Sequence, residues 1–127
     1  MGMTAPSILL VEDDISCRTL LSLELRGAGY EVDTVPGGRE ALGLLERKPY
    51  DWLVTDGRMA EIDGVDLSRL AKKIRPSLGI IMVSAVYGDR DVKDAPIDKL
   101  FPKPIVVEDL LRWLRDEPPT QEAVPSR

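Results

Sequence analysis

Residues 54–64 read VTDGRMAEIDG. The apolar run before Asp56, Trp52–Thr55 (WLVT), ends on that carboxylate, and Gly57 turns the chain at once. An isolated Asp before Gly is common in turns, where its side chain bonds nearby backbone amides. The meaning of Asp56 therefore depends on what the rest of the chain brings beside it.

Outward from this stretch, two kinds of segment alternate. SILLV (Ser7–Val11), WLVT and GIIMV (Gly79–Val83) are short, continuous apolar runs, the pattern of strands buried on both faces. YEVDTV (Tyr30–Val35) alternates and is β-branched, which suggests a strand nearer an edge, and Leu100 with Phe101 forms a short fifth strand. Between them lie helical stripes. The first runs from Ile15 to Arg26 with Cys17, Leu20, Leu21 and Leu25 inward, and Gly27 and Gly29 stop it. The second, Arg39–Arg47, turns Ala41, Leu42 and Leu45 inward, and Pro49 ends it. Leu67, Leu70, Ala71 and Ile74 define a third, and Val107, Leu110, Leu111, Trp113 and Leu114 a final amphipathic one. Tyr87–Asp98 is charged and broken by Gly88 and Pro96, so it supports one or two helical turns at most. Strands alternating with helices imply an α/β fold, a doubly wound parallel sheet covered on both faces.

Composition narrows the chemistry. A chain of 127 residues is one domain by default and can bury roughly two thirds of its unfolded surface. Net charge is −5, which argues against direct binding to nucleic acid or to an anionic membrane. There is no histidine, so histidine acid–base catalysis and His-ligated zinc are excluded. The single cysteine, Cys17, has no partner for an internal disulfide and reads as a small core residue; Trp52 and Trp113 read as packing residues. Nothing resembles a signal peptide or a membrane span, and a cytoplasmic location is expected. Residues 1–6 read as an N-terminal extension, 7–116 as the domain, and 117–127 as a disordered tail or linker.

In a doubly wound sheet, ligands bind beyond the carboxyl ends of the strands. Polar residues should therefore gather where the apolar runs stop, and they do. The first run stops at Glu12-Asp13-Asp14, the third at Asp56, the fourth at Ser84-Ala85, and the fifth leads to Lys103-Pro104. Converging carboxylates repel unless a cation neutralises them, and a hard divalent ion such as Mg2+ suits oxygen ligands. A carboxylate can also attack phosphorus, and phosphoryl transfer needs alignment and charge neutralisation more than proton shuttling. Asp14 alone reads mainly as a helix cap.

With ILLVEDD, LVTDGRM followed by DG, IIMVSA and FPKPI in this order, the sequence resembles the receiver domains of two-component response regulators, from about Ser7 to Asp116. The resemblance implies a five-stranded, flavodoxin-like sheet in the order 2-1-3-4-5. It implies that Asp56 is the phosphoacceptor, and that Glu12, Asp13, Asp56 and the backbone carbonyl of Arg58 hold Mg2+. Ser84 would hydrogen-bond the phosphoryl group, the Ala85 backbone N–H would face it, and Lys103 would pair with its oxygens. The Lys103–Pro104 bond is expected to be cis. The donor would be a sensor histidine kinase or a histidine phosphotransfer protein.

Some positions depart from the family pattern. Ala60 replaces a usual proline. Leu100 stands where a switch aromatic is usual, and Phe101 should face the other side of the strand. Tyr87 is the candidate substitute for that aromatic. The segment between Ser84 and Lys103 is shorter than usual, so the fourth helix should be short, irregular or mobile. Arg58 and Val86 flank the site and are expected to shield the phosphoryl group and slow its hydrolysis. Function then reads as a signalling receiver, not an enzyme beyond its own phosphorylation and slow dephosphorylation, which switches binding to a downstream protein; a homodimer is possible. It is expected to be a stand-alone receiver, with a piece of a longer multidomain protein as the alternative. Two other classes compete. A degenerate receiver would act only as a docking module. An aspartyl-nucleophile phosphatase would place a second Asp where this chain has Arg58.

Overall fold

The computed structural model describes residues 5–117, so most of the expected tail lies outside the described residues. The elements alternate without exception: β1 (Ser7–Val11), α1 (Ile15–Gly27), β2 (Glu31–Val35), α2 (Gly38–Arg47), β3 (Trp52–Asp56), α3 (Gly64–Ile74), β4 (Gly79–Ser84), α4 (Asp89–Val92), β5 (Lys99–Pro102) and α5 (Val107–Asp116). All strand pairs are parallel, in the order β2-β1-β3-β4-β5. That is the flavodoxin-like order the resemblance implied.

Side-chain alternation explains the continuous apolar runs. In β1, Ile8 and Leu10 face one layer while Leu9 and Val11 face the other. The first layer meets Leu21 and Leu25 of α1 and Leu110 and Leu114 of α5. The second meets Ala41 and Leu45 of α2 and Leu67 and Ala71 of α3. Because helices cover both faces, β3 and β4 are buried at every position. Trp52 and Trp113 pack edge to face at 5.3 Å, and Gly79 is small because the Trp52 ring occupies the space a Cβ would need. The helix α4 is a single turn that buries only Val92, as the broken sequence suggested.

Three inward assignments are overturned. Cys17 is exposed, Leu20 is 59% exposed and Leu70 is 39% exposed. Each helix is rotated from the apolar reading so that a serine takes an inward place, Ser22 in α1 and Ser68 in α3. Both hydroxyls are satisfied locally, Ser22 donating to the Thr19 carbonyl at 3.0 Å and Ser68 to the Val65 carbonyl at 2.7 Å. A hydroxyl bonded to its own helix can be buried, so hydropathy alone misplaces the stripe.

Candidate functional site

Four strand ends build the site. Beyond β1, the Glu12 N–H donates to the Val35 carbonyl at 3.1 Å, which extends the ladder by one residue and fixes the direction of the side chain. Glu12 is buried. Its Oε2 accepts the Asp14 N–H at 3.1 Å and its Oε1 accepts Lys103 Nζ at 3.1 Å. Asp14 caps α1 by accepting the Cys17 N–H at 2.8 Å, the role the sequence suggested. That amide bond holds the Asp14 carboxyl below its ordinary range. Asp13, between them, is exposed.

Asp56 closes β3 and is buried, although its side chain is a carboxyl. Its Oδ1 accepts the Gly57 N–H at 3.1 Å and lies 3.0 Å from Lys103 Nζ. The loop behind it is pulled tight, with the Gly64 N–H donating to the Gly57 carbonyl at 2.6 Å. A Cβ on Gly64 would overlap the Asp56 carbonyl, so only glycine fits. Asp63 caps α3 through the Asp66 N–H at 3.1 Å. An acidic N-cap before a helical stripe was a readable signal for Asp63 that the apolar reading passed over.

Ser84 closes β4, buried, and its Oγ accepts the Val86 and Tyr87 N–H groups at 3.1 and 3.0 Å. Lys103 follows β5; its N–H donates to the Ser84 carbonyl at 3.0 Å, and the Lys103–Pro104 bond is cis, as expected. Ala85, Arg58 and Val86 are exposed around the mouth. Leu100 is half-buried, and Phe101 points into the opposite core layer, as strand alternation requires. The Tyr87 hydroxyl donates to Asp63 Oδ2 at 2.6 Å, a link the sequence did not suggest.

The charges do not balance. Carboxylate oxygens from Glu12, Asp13 and Asp56 lie within 4.8 Å of one another, and Lys103 is the cation paired with Glu12 and Asp56. Burial pushes the Glu12 carboxyl above its ordinary range, and the Asp56 charge pushes the same way. The Asp14 N–H and Lys103 oppose this without overcoming it. Burial would lower Lys103, but hydrogen bonds to Asp56 and Glu12 outweigh it and raise its pKa. One lysine therefore holds the cluster together yet leaves it too negative. An apolar cavity of about 220 Å³, lined in part by Leu10, Leu21, Val54 and Ile105, borders Glu12, Asp56 and Lys103 and keeps that wall poor in water. The donor set is all oxygen and acidic, which fits a hard divalent ion.

Residues 8–115 match the response regulator receiver domain. The chain is 38% identical over 107 residues to the response regulator receiver protein CpdR of Brucella abortus (strain 2308), covering 82% of this chain and 89% of that protein. Longer transcriptional regulatory proteins match over 78 residues at 38% to 40% identity, and this chain spans 18% of their length. A CheY-like receiver domain protein from Methanospirillum hungatei JF-1 superposes with a TM-score of 0.83 at 26% identity, over 88% of this chain and 92% of that one. The receiver domain of the sensor histidine kinase PA1611 from Pseudomonas aeruginosa PAO1, solved with a magnesium ion in its active-site cleft, gives 0.80 at 31% identity, over 88% and 96%. Among the described residues, no helix is long and apolar enough to cross a membrane. The chain belongs to the response regulator receiver domain family of two-component signalling.

Proposed function

We propose that Asp56 accepts a phosphoryl group from a phosphohistidine on a sensor histidine kinase or a histidine phosphotransfer protein, and that this event switches binding to a downstream protein in the cytoplasm. The observation that carries the reading is the under-neutralised cluster of buried Glu12 and Asp56 with exposed Asp13, beside Lys103.

A carboxylate oxygen of Asp56 attacks phosphorus; the new O–P bond forms as the P–N bond breaks, and the histidine nitrogen keeps the electron pair. Glu12, Asp13 and Asp56, with the Arg58 carbonyl, would hold Mg2+, which when bound would offset charge on the phosphoryl oxygens. Lys103 already stands 3.0 Å from Asp56 and pairs with a phosphoryl oxygen without a large movement. Ser84 and the Ala85 N–H supply further donors. Charge-assisted hydrogen bonds contribute roughly 1.5–3 kcal/mol each, so three of them approach the 5.5 kcal/mol or so that moves a two-state population from 1:99 to 99:1. Arg58 and Val86, both exposed at the mouth, slow attack by water on the acyl phosphate.

The test is labelling by a small phosphodonor followed by intact mass. The wild type should gain one phosphoryl group with Mg2+ and none with a chelator, and Asp56→Asn should gain none. Label on Asp56→Asn, or label without Mg2+ at the same rate, would overturn the assignment. Continuous turnover of a small phosphoester would point to the phosphatase class instead.

A further inference from the structure

Leu100 offers no hydroxyl to carry a signal, but Tyr87 does. The Tyr87 hydroxyl donates to Asp63 Oδ2 at 2.6 Å, across 24 residues of sequence. The other oxygen of Asp63 accepts the Asp66 N–H at 3.1 Å and caps α3. At its backbone, Tyr87 is tied to Ser84 through the N–H that donates to Oγ at 3.0 Å. Ser84, Tyr87, Asp63 and the first turn of α3 thus form one continuous hydrogen-bonded chain. Its near end lies against the residue after Asp56: a Cβ on Gly57 would stand 2.6 Å from Ser84 Oγ and 2.8 Å from Tyr87 Cδ2.

We propose that Tyr87 is the positioning residue of the switch, coupling Ser84 to the N-terminus of α3, so that phosphorylation is reported through the first turn of that helix. This rests on the reading of Asp56 as phosphoacceptor. The Ser84 oxygen now accepts two loop amides, from Val86 and Tyr87. A hydroxyl drawn toward a phosphoryl group on Asp56 rotates about its Cα–Cβ bond and leaves those amides. Tyr87 then loses the anchor that holds its hydroxyl on Asp63, and Asp63 loses one of its donors. The short α4, a single turn, puts little packing in the way of that movement. Consistent with a firm link in the resting state, the hydrogen bond to Asp63 holds the Tyr87 phenol above its ordinary range.

The test compares backbone amide spectra of the wild type and Tyr87→Phe before and after Mg2+ with beryllofluoride, a phosphoryl mimic, alongside phosphodonor labelling by mass. Tyr87→Phe removes one hydroxyl and keeps the ring over Gly57, so the fold is retained. In the wild type, the Tyr87 and Asp66 amides should shift together. In Tyr87→Phe, labelling should match the wild type and the residue-87 amide should still shift, while the Asp66 response is lost. An Asp66 shift as large in Tyr87→Phe as in the wild type overturns the coupling alone, as does a labelled wild type in which Asp66 never moves. A wild type that takes neither label nor beryllofluoride overturns the phosphoacceptor reading as well.

Discussion

Acidic side chains stand at both ends of the sheet, and the two ends treat them differently. Around the amino ends of the strands, the carboxylates are matched by the protein itself. Asp51 Oδ2 accepts the Ser7 N–H at 2.8 Å, and Asp98 Oδ2 accepts the Ile80 N–H at 2.8 Å, so each satisfies an amide at a strand start. Asp33, on the edge strand β2, takes the Tyr50 hydroxyl and lies 3.0 Å from Lys48 Nζ. The hydrogen bonds from Tyr50 and then Lys48 hold Asp33 below its ordinary range. At the carboxyl ends, Glu12 is shifted the opposite way, because burial and Asp56 outweigh its donors. Asp33 is held down by its partners; Glu12, pushed up chiefly by burial and also by Asp56, would be relieved by a further positive charge. That difference in sign separates Glu12 from Asp33.

The contrast is broken most severely at Gly64. A methyl group there would overlap the Asp56 carbonyl and crowd Met82 Cε, so the β3–α3 loop could not close behind Asp56. Gly64→Ala should lose about 3 kcal/mol of stability, the upper end for overpacking, because the obstacle is backbone. Phosphodonor labelling should fall with it. Denaturant unfolding measures the first effect and intact mass the second.

A smaller effect is expected at the amino end. Tyr50→Phe should cost about 1 kcal/mol at neutral pH, below the usual range for a hydrogen bond to a carboxylate because Asp33 is partly open to solvent. Asp33 has a lowered folded pKa, so its contribution is present above the ordinary carboxylate range and is lost as pH falls through the lowered value. The gap between wild type and Tyr50→Phe should therefore close on acidification. Glu12 has the opposite sign: without a divalent cation, its raised folded pKa means that mild acidification relieves this end of the sheet. Unfolding curves across pH check both, and labelling by a phosphodonor at neutral pH should be untouched in Tyr50→Phe.

Much of this was legible in the sequence because strand tips carry a simple code. An apolar run that stops on Glu12-Asp13, on Asp56 or on Ser84 places those groups at one edge once the sheet is parallel, whatever the details of packing. Helix rotation was less legible. Cys17, Leu20 and Leu70 were assigned inward by hydropathy, while Ser22 and Ser68 went in because their hydroxyls close onto their own helices. The Tyr87–Asp63 bond was least legible, since it joins two loops that neither spacing nor period connects.

Glu12, Asp13 and Asp56 are arranged to hold one divalent cation. Thermal unfolding across a MgCl2 titration, in the wild type and in Asp13→Asn, reads out that binding. Asp13 is exposed, so without Mg2+ the variant should unfold within about 0.5 kcal/mol of the wild type. Magnesium should raise wild-type stability progressively, by about 2.7 kcal/mol at a hundredfold excess over its dissociation constant, and should raise that of Asp13→Asn far less. A wild type whose unfolding does not respond to Mg2+, or a variant that responds equally, would mean that these carboxylates do not hold the ion.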